Sequence, residues 1–366
     1  MLVIDKKSVP MQAKKVTVKD IARQAGLSIG TVDRVMHNRG GVAEESRQKV
    51  MEAMETLGYT LNTNASLLAN KKHYRICCLL PSFTDGEYWE LVYNAIASAE
   101  KDATGYNISI ETITYNQFSH EEYVEAVEKL KSNLPQAVII APIYRNETIE
   151  LSHFLKEKGI PMVFIDSKVS EADYLAYYGI PMWESGYLAA SLLLGEEPPK
   201  SIVNFRIERS GSITDNPTLA RRHGFTDYLT ENLPQLSIYN EFLRPYDREH
   251  NFAVMDKFFA EHPDIRHIIT FNSRVHLIAD YITARGLKDL RVVGFDILDQ
   301  NIEAVRNGAV KYLIVQRTQV QLRRGVNALA EWLAFGTTPP VRDNYMPMDI
   351  LVRENINFYS EMYKEY

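Results

Sequence analysis

Residues 16–36 read VTVKDIARQAGLSIGTVDRVM. This sequence predicts two short helices joined by a tight turn. Thr17 and Asp20 form a T-x-x-D capping box at the start of the first helix. Gly26 supplies the turn, and Ser28 caps the second helix. This arrangement is typical of a helix-turn-helix, whose second helix fits the major groove of DNA.

Apolar residues in this stretch recur at helical spacing and predict one buried face. The predicted inner residues are Val18, Ile21, Ala22, Ala25, Val32 and Val35. Ile29, Gly30, Asp33 and Arg34 are left to face outward. A third helix is predicted from about 43 to 57, with Val50, Ala53, Met54 and Leu57 on one side. The alternative for these features is a small helical bundle with solvated charges.

Residues 16–70 resemble the DNA-binding head of the lactose/galactose repressor family through V-T-V-K-D-I-A-R-Q-A-G-L-S-x-x-T-V-x-R-V and R-Q-K-V-x-x-A-M-x-x-L-G-Y-x-x-N. The resemblance implies that Arg34 reads a guanine edge and that Ile29 offers apolar contact. Hydroxyls of the head are suited to phosphates, which position the protein without specifying sequence. The full predicted DNA-binding set is Thr17, Ser28, Ile29, Gly30, Thr31, Arg34, Asn62, Ala65 and Leu68.

Residues 62–69, NTNASLLA, correspond in that resemblance to the hinge helix of the family. Leu68 takes the position of the leucine that wedges into the minor groove and kinks the DNA. Ala65 takes the place of the small residue that lets two hinge helices approach. The alternative is a plain linker helix with Leu68 packed on its own domain.

Charge is unevenly distributed along the chain of 366 residues, which is 45% hydrophobic and carries a net charge of −6. Residues 1–75 hold 13 Lys and Arg against 7 Asp and Glu, whereas the remainder holds 28 against 40. A basic head on an acidic body indicates a local phosphate-binding surface. The adjacent Cys77 and Cys78 point to opposite faces of a predicted strand, so we expect neither a mutual disulfide nor a metal site.

From Tyr74 onward, short apolar runs alternate with amphipathic helices, which predicts parallel sheets covered on both faces. The predicted strands are RICCLL, ISIETITY, AVIIAP, MVFID, IVNFRI, HIITF and VVGFD. The predicted helices are 87–103, 119–132, 146–158, 183–194, 217–232, 249–261, 273–285 and 299–307. So many units favour two sheets with a cleft between them, where ligands bind at the carboxyl ends of the strands.

The body, about residues 74–357, resembles the periplasmic-binding-protein type I fold that this repressor family shares with sugar-binding proteins. The resemblance is carried by S-F-T-D-G-E-Y-W at 82–89, K-G-I-P-M-V-F-I-D at 158–166, A-R-R-H-G-F at 220–225, F-N-S at 271–273 and V-V-G-F-D at 292–296. It implies a ligand set of Tyr88, Trp89, Tyr144, Asp166, Arg221, Asn272, Asp296 and Gln316. Carboxylates, amides and arginine suit vicinal hydroxyls, while aromatic rings cover the apolar face of a sugar.

Several positions depart from the sugar-binding pattern. Asp166 is followed by Ser-Lys rather than by arginine, and Asn272 by Ser-Arg rather than by Asn-Asp. Cations near the predicted cleft suggest the hypothesis that the ligand is an acidic or phosphorylated sugar. These cations are Arg145, Lys168, Arg206, Arg209 and Arg274.

The predicted fold class is a small all-α helix-turn-helix head plus an α/β body of two Rossmann-like subdomains. The expected division is a disordered leader at 1–15, the head at 16–61, a hinge helix and linker at 62–73, an effector-binding and dimerisation domain at 74–357 and a tail at 358–366. Within the body we expect an N-subdomain at about 74–177 and 318–345, and a C-subdomain at about 178–317 and 346–357.

The predicted function is a cytoplasmic, homodimeric transcription regulator that binds palindromic operator DNA and is switched by a sugar or sugar derivative. We expect no catalytic residues, no cofactor, no metal and no membrane partner, because the chain lacks the usual catalytic and nucleotide-binding motifs. The start MLVIDKKSVP has charges within its apolar patch, unlike a signal peptide. The alternatives are a sugar-binding receptor with a vestigial head, or an enzyme on a doubly wound fold.

Overall fold

The computed structural model describes residues 16–36, 41–57, 72–195, 199–207 and 218–359. These residues form two compact units, a helical head and an α/β body, and each is described by itself. Several predictions lie outside the described residues: those for the leader 1–15, Asn62, Ala65, Leu68, Arg209 and the tail beyond 359.

The head consists of three helices, α1 (Val18–Ala25), α2 (Ile29–Met36) and α3 (Glu44–Thr56). The predicted capping box is present, because the Asp20 carboxylate accepts from the backbone nitrogen and the hydroxyl of Thr17 at 2.9 and 2.6 Å. Gly26 ends α1 at φ 66°, in the left-handed region that glycine enters without strain. The buried core of the head is Ile21, Ala22, Val32, Val35, Val50 and Ala53.

The body alternates strands and helices, as the sequence predicts for two Rossmann-like subdomains. The strands are β1 (Tyr74–Pro81), β2 (Ile108–Tyr115), β3 (Ala137–Ile140), β4 (Met162–Asp166), β5 (Ala176–Gly179), β6 (Ser201–Ile207), β7 (Ser237–Leu243), β8 (His267–Ile269), β9 (Arg291–Phe295), β10 (Tyr312–Val315), β11 (Asp343–Tyr345) and β12 (Asp349–Leu351). The helices are α4 (Tyr88–Asp102), α5 (His120–Ser132), α6 (Arg145–Glu157), α7 (Met182–Leu194), α8 (Leu219–Asn232), α9 (Arg248–Glu261), α10 (Val275–Arg285), α11 (Asp299–Arg306) and α12 (Thr318–Phe335).

Two sheets of six strands each divide the body into a first and a second lobe. The first sheet has the order β11-β5-β4-β3-β1-β2 and is parallel throughout. The second has the order β12-β10-β9-β8-β6-β7, with β12 antiparallel to β10. The chain crosses between the lobes three times, between β5 and α7, between β10 and α12, and between β11 and β12.

Both faces of the second sheet are buried at its central strands β8, β9 and β10, which explains why these strands are mostly apolar rather than alternating. Val292 contributes to one core cluster and the next residue, Val293, to another on the opposite face. In the first lobe, Ile76 to Leu80 are fully buried and include the two free cysteines. No helix in the described ranges is long and apolar enough to span a membrane.

Candidate ligand cleft and nucleic-acid interface

The outer face of α2 presents the side chains predicted to read DNA. Ile29 is 48% exposed, and Gly30 and Arg34 are also exposed. Within the described part of the chain no hydrogen bond or ion pair holds the Arg34 guanidinium. A methyl group added at Gly30 would meet only Ser28 Oγ, at 3.8 Å. The face is therefore open to contact from outside the head.

The three hydroxyls predicted to contact phosphates also serve the helix ends. Thr17 Oγ1 donates to Asp20, as described above. The backbone nitrogen of Thr31 donates to Ser28 Oγ at 3.0 Å, and the hydroxyls of these two residues lie 2.8 Å apart. The predicted cap at Ser28 is thus confirmed. Each hydroxyl can contact a phosphate only through its remaining hydrogen-bonding capacity.

A cavity of about 330 Å³ lies between the two lobes of the body. Its walls come from the carboxyl ends of the parallel strands and the loops that follow them, the usual ligand position in open α/β sheets. Seven of the eight residues predicted to bind a ligand line this cavity. They are Tyr88, Trp89, Asp166, Arg221, Asn272, Asp296 and Gln316.

Asp166 and Asp296 occupy corresponding positions in the two lobes. Asp166 is the last residue of β4 and Asp296 follows β9 directly. Both have a left-handed backbone, with φ of 65° and 66°, which is unfavourable for residues other than glycine and least so for Asp and Asn. Such backbone strain clusters at functional sites. Here it accompanies two buried carboxyl groups at the cavity wall.

One amide links these two carboxyl groups across the cleft. Gln316 Nε2 donates to Oδ1 of Asp166 at 3.0 Å and to Oδ1 of Asp296 at 3.2 Å. The hydroxyl of Tyr88 donates to the same Asp166 oxygen at 2.6 Å. Gln321 orients the amide, since its Nε2 donates to Gln316 Oε1 at 3.0 Å. A buried polar network therefore joins the two lobes at the cavity wall.

Burial makes this network sensitive to protonation. Burial, assisted by the nearby Asp166 carboxylate, raises the pKa of Asp296 to about 7, although Arg221 and the Gln316 hydrogen bond lower it. Asp296 consequently changes charge near neutral pH, unlike an exposed aspartate.

Arg221 supplies the central cation of the cavity and is only 3% exposed. Its Nε donates to Ser185 Oγ at 3.1 Å and its Nη1 to the carbonyl of Phe271 at 2.7 Å. The guanidinium lies 3.8 Å from the centre of the Phe295 ring. Burial lowers the pKa of Arg221, while Asp296 and Asp166 oppose that effect.

Close packing of α7 against α8 fixes the backbone of Arg221. A Cβ atom at Gly186 would lie 1.7 Å from the carbonyl oxygen of Arg221. A Cβ atom at Gly224 would lie 1.8 Å from the carbonyl oxygen of Trp183. Only glycine permits this approach at both positions, so the two glycines are positioning residues for the arginine.

The rim of the cavity is closed by contacts that the sequence analysis did not predict. Glu87, in the first lobe, pairs with Arg274 of the second lobe and accepts from the hydroxyl of Tyr246 at 3.1 Å. Burial raises the pKa of Glu87, but the Thr84 N–H and Arg274 outweigh it, so the net shift is downward. Phe118 meets Tyr246 edge to face at 6.2 Å between ring centres. Glu87 lies within the S-F-T-D-G-E-Y-W motif at 82–89, so this motif is the feature of the sequence that could have pointed to it.

Two predicted ligand residues are held largely by protein contacts. Asn272 Nδ2 donates to Thr270 Oγ1 at 2.9 Å, and its Oδ1 accepts from the backbone of Arg274 at 2.8 Å. Trp89 is buried and meets Tyr88 edge to face at 5.0 Å. Each therefore presents only part of its surface to the cavity.

Tyr144 does not line the cavity. It packs against His120 and Tyr123, and its hydroxyl donates to the carbonyl of Gln117 at 3.4 Å. It precedes α6 as the N-cap residue, where its backbone carbonyl accepts from Thr148. We therefore leave Tyr144 out of the ligand set proposed below.

The cations singled out in the sequence lie in different places. Arg145 pairs with Glu171 at 2.7 Å and Lys168 pairs with Asp343, and neither lines the cavity. Arg274 does line it, whereas Arg206 lines a small neighbouring pocket. In the described ranges, no three His, Cys, Asp or Glu side chains are grouped to hold a metal ion.

Comparison with known proteins relates the head and the body to two known families of domains. Residues 17–62 match the family described as bacterial regulatory proteins, lacI family, and residues 76–337 match the periplasmic binding protein domain. The chain is similar to the HTH-type transcriptional regulator DegA of Bacillus subtilis, with 28% identity over 49% of this chain and 52% of DegA. It thus spans about half the length of that relative.

Longer matches support the same assignment. MalR of Streptococcus pneumoniae, an HTH-type transcriptional regulator, is 22% identical over 78% of this chain and 85% of MalR. A Bacteroides fragilis crystal structure assigned to the LacI transcriptional regulators is 34% identical, with a TM-score of 0.74, over 79% of this chain and all of that one. The chain therefore belongs to the lacI family of bacterial regulatory proteins, with a periplasmic binding protein domain as its body.

Proposed function

We propose that this protein is a transcription regulator that binds a palindromic operator as a homodimer and is switched by a sugar or sugar derivative. The observation that carries the proposal is the buried Asp166–Gln316–Asp296 network, with Arg221 beside it, in a cavity between two lobes. The proposed ligand set is Tyr88, Trp89, Asp166, Arg221, Asn272, Asp296 and Gln316.

The chemistry of the cavity suits a polyhydroxylated ring. Sugar hydroxyls can donate to the carboxylates of Asp166 and Asp296 and accept from Arg221 and Gln316. The ring faces of Tyr88 offer apolar contact, as aromatic residues do in binding pockets. The volume of about 330 Å³ lies at the lower end of the range for small-molecule pockets, which favours a compact ligand.

Switching follows from the position of this cavity. A ligand that contacts both lobes favours the closed arrangement by its differential affinity for it. The three chain crossings between the lobes are the segments that such a closure would bend. Residues 62–69 correspond to the hinge of the family, so we propose that closure is coupled to DNA binding through this segment.

The head is proposed to read DNA as one half of a two-fold pair, because a two-fold protein matches a palindromic site. Arg34 is free to bond a guanine through its O6 and N7 atoms, and Ile29 and Gly30 set the apolar part of the contact. Thr17, Ser28 and Thr31 contribute to phosphate contacts. We also propose that Asn62, Ala65 and Leu68 contact DNA from the hinge.

The test is selection of genomic fragments by the purified protein, with and without a panel of sugars, sugar acids and sugar phosphates. We expect one palindromic motif whose recovery a single class of compound changes. Arg34→Ala should relax specificity at one base pair by about 1–3 kcal/mol. Arg23→Ala, another exposed arginine of the head, is the matched control and should leave specificity unchanged.

Two results would contradict the proposal. Failure to enrich any fragment under any condition would favour a sugar-binding receptor with a vestigial head. Chemical turnover of a bound sugar would favour an enzyme instead. Bending of the selected DNA, measured by gel mobility, should be lost in Leu68→Ala if this residue acts as the wedge.

A further inference from the structure

A second, smaller pocket of about 20 Å³ lies beside the main cavity. The two share four lining residues, Ile207, Thr218, Phe271 and Asn272. The smaller pocket is otherwise lined by Asn204, Phe205, Arg206 and Arg222. A volume of this size holds about one water-sized group, so it suits one oxygen atom of a ligand substituent rather than a second ring.

Unpaired polar atoms mark this pocket as incomplete. Within the described ranges, Nε and Nη2 of Arg222 are buried and have no hydrogen-bond partner. Asn204 is only 4% exposed; its Nδ2 donates to Asn240, whereas its Oδ1 has no partner among the same residues. Buried donors and acceptors without partners are unfavourable, and native proteins rarely keep them. Three such atoms around one pocket therefore indicate a missing binding partner.

Among the described residues that line the pocket there are two arginines and no acidic side chain. In the described residues, no carboxylate pairs with Arg206 or Arg222, and Arg206 lies over the Phe242 ring at 5.0 Å. Burial lowers the pKa of Arg222, and the nearby Arg206 lowers it further. The arginines of the main cavity differ, because Arg221 has Asp296 and Asp166 nearby and Arg274 pairs with Glu87.

We propose that this pocket is an oxyanion subsite, and that the ligand is a sugar carrying a carboxylate or phosphate group. The sugar ring occupies the main cavity, while the oxyanion accepts from the free Nε and Nη2 of Arg222 in the charge-assisted geometry that arginine favours. Arg206 adds charge, and Asn204 Oδ1 accepts from a neighbouring hydroxyl. This inference rests on the proposed function, since it names the class of sugar bound in the same cleft.

The test is calorimetric titration of the full chain with matched pairs of neutral and acidic sugars. The pairs are D-galactose with D-galacturonate, and D-glucose with D-glucuronate and with D-glucose 6-phosphate. We expect the acidic member of a pair to bind at least about tenfold more tightly. The carboxylate and phosphate arms show which oxyanion the subsite takes.

Arg222→Met keeps an unbranched side chain as far as the position of Nε and removes all the donors. We expect it to abolish the preference for the acid while changing the affinity for the neutral sugar less than about twofold. Arg222→Lys keeps the charge and should retain part of the preference. Arg145→Met removes a cation that lines neither pocket and should have no effect. The Tm of Arg222→Met should not fall, since the lost donors had no partner.

A separate arm distinguishes failure of the subsite from failure of the proposed function. Inorganic phosphate alone should raise the Tm of the wild-type chain more than that of Arg222→Met. If it does while no sugar binds, the subsite stands and the sugar in the proposed function is wrong. Equal binding of neutral and acidic sugars, equal weakening of both by Arg222→Met, or a phosphate effect independent of Arg222 would each overturn the subsite. Arg206→Met provides the same readouts if Arg222→Met does not fold.

Discussion

The two lobes of the body present different chemistry to the cavity they share. The first lobe contributes acids and aromatic rings, including Glu87, Tyr88 and Asp166. The second contributes Arg221 and Arg274. This complementarity gives the lobes an electrostatic reason to close that does not depend on apolar contact. Asp296 is an exception, because it is an acid in the cationic lobe.

Substitutions at Asp296, Gly186 and Arg221, and a double-mutant cycle at Glu87 and Arg274, test this difference between the lobes.

Removing the charge of Asp296 should have the largest effect. Because burial raises its pKa to about 7, ionisation of this group above neutral pH destabilises the folded state relative to the unfolded chain. We expect Asp296→Asn to raise the free energy of unfolding at pH 8–9 by up to roughly 4 kcal/mol, and to change nothing near pH 4. Denaturant titration at several pH values measures this.

The sign follows from linkage. Between the unfolded and folded pKa values the folded chain binds the proton and the unfolded chain does not, so wild-type stability falls as the pH rises. Asp264→Asn, at an exposed position, is the control and should show no such pH dependence. If Asp296→Asn raised the free energy of unfolding by the same amount at all pH values, the raised pKa of Asp296 would be refuted.

Adding a methyl group at Gly186 should destabilise the second lobe. The new Cβ atom would lie 1.7 Å from the carbonyl oxygen of Arg221, so α7 and α8 must separate. We expect Gly186→Ala to destabilise the body by about 3 kcal/mol and to weaken ligand binding. A Cβ atom at Gly325 in the first lobe would meet side-chain atoms alone, the nearest being Val163 Cγ1 at 3.2 Å, so Gly325→Ala should cost less than about 1 kcal/mol. Equal losses of stability in Gly186→Ala and Gly325→Ala would contradict the close approach of α7 to α8.

Arg221→Lys keeps the cation but removes its planar geometry. Lysine cannot reach Ser185 Oγ and the Phe271 carbonyl together while donating to a ligand. We expect a loss of about 1.5–3 kcal/mol in ligand affinity, roughly 10- to 150-fold, measured by calorimetry. Arg248→Lys, at an exposed ion pair with Asp280, should leave affinity unchanged. An unaltered affinity in Arg221→Lys would show that this residue acts only through its charge.

The contact between Glu87 and Arg274 should have the smallest effect. A double-mutant cycle with Glu87→Gln and Arg274→Gln should give a coupling of about 1 kcal/mol in the free energy of unfolding. Because the pKa of Glu87 is lowered, this stabilisation is present at neutral pH and is lost as the pH falls through the range where Glu87 is protonated. A coupling that persists at pH 3 would mean that packing, and not charge, couples Glu87 to Arg274.

The head and the cleft differ in how far they could be predicted from sequence. Three helices, the capping box at Thr17 and the cap at Ser28 were all predicted, since their determinants lie within four residues of one another. In the body, the predicted strands and helices do not include β5, β7, β10, β11, β12 and α12. β7 is an edge strand with mostly exposed residues, and β11 and β12 have three residues each, so their apolar patterns are weak.

Seven of the eight residues proposed by resemblance to spaced motifs line the cavity. Tyr144 does not, because it packs against Tyr123 of α5 instead. Phe118 and Tyr246 were missed, because they meet only when the two lobes are folded against each other. Arg222 was missed for a different reason. It adjoins Arg221 in sequence, but its importance depends on the absence of hydrogen-bond partners, which a motif does not reveal.

The helix-turn-helix, the strand–helix alternation and the types of side chain at the strand ends follow from the order of the amino acids, because caps and periodicity depend on near neighbours. Which side chains face each other depends instead on tertiary packing. Gln316 meets Tyr88 across 228 residues of chain, and burial at that meeting point moves the pKa of Asp296. Partner choice and burial depend on how the two lobes pack, and neither is encoded in local spacing.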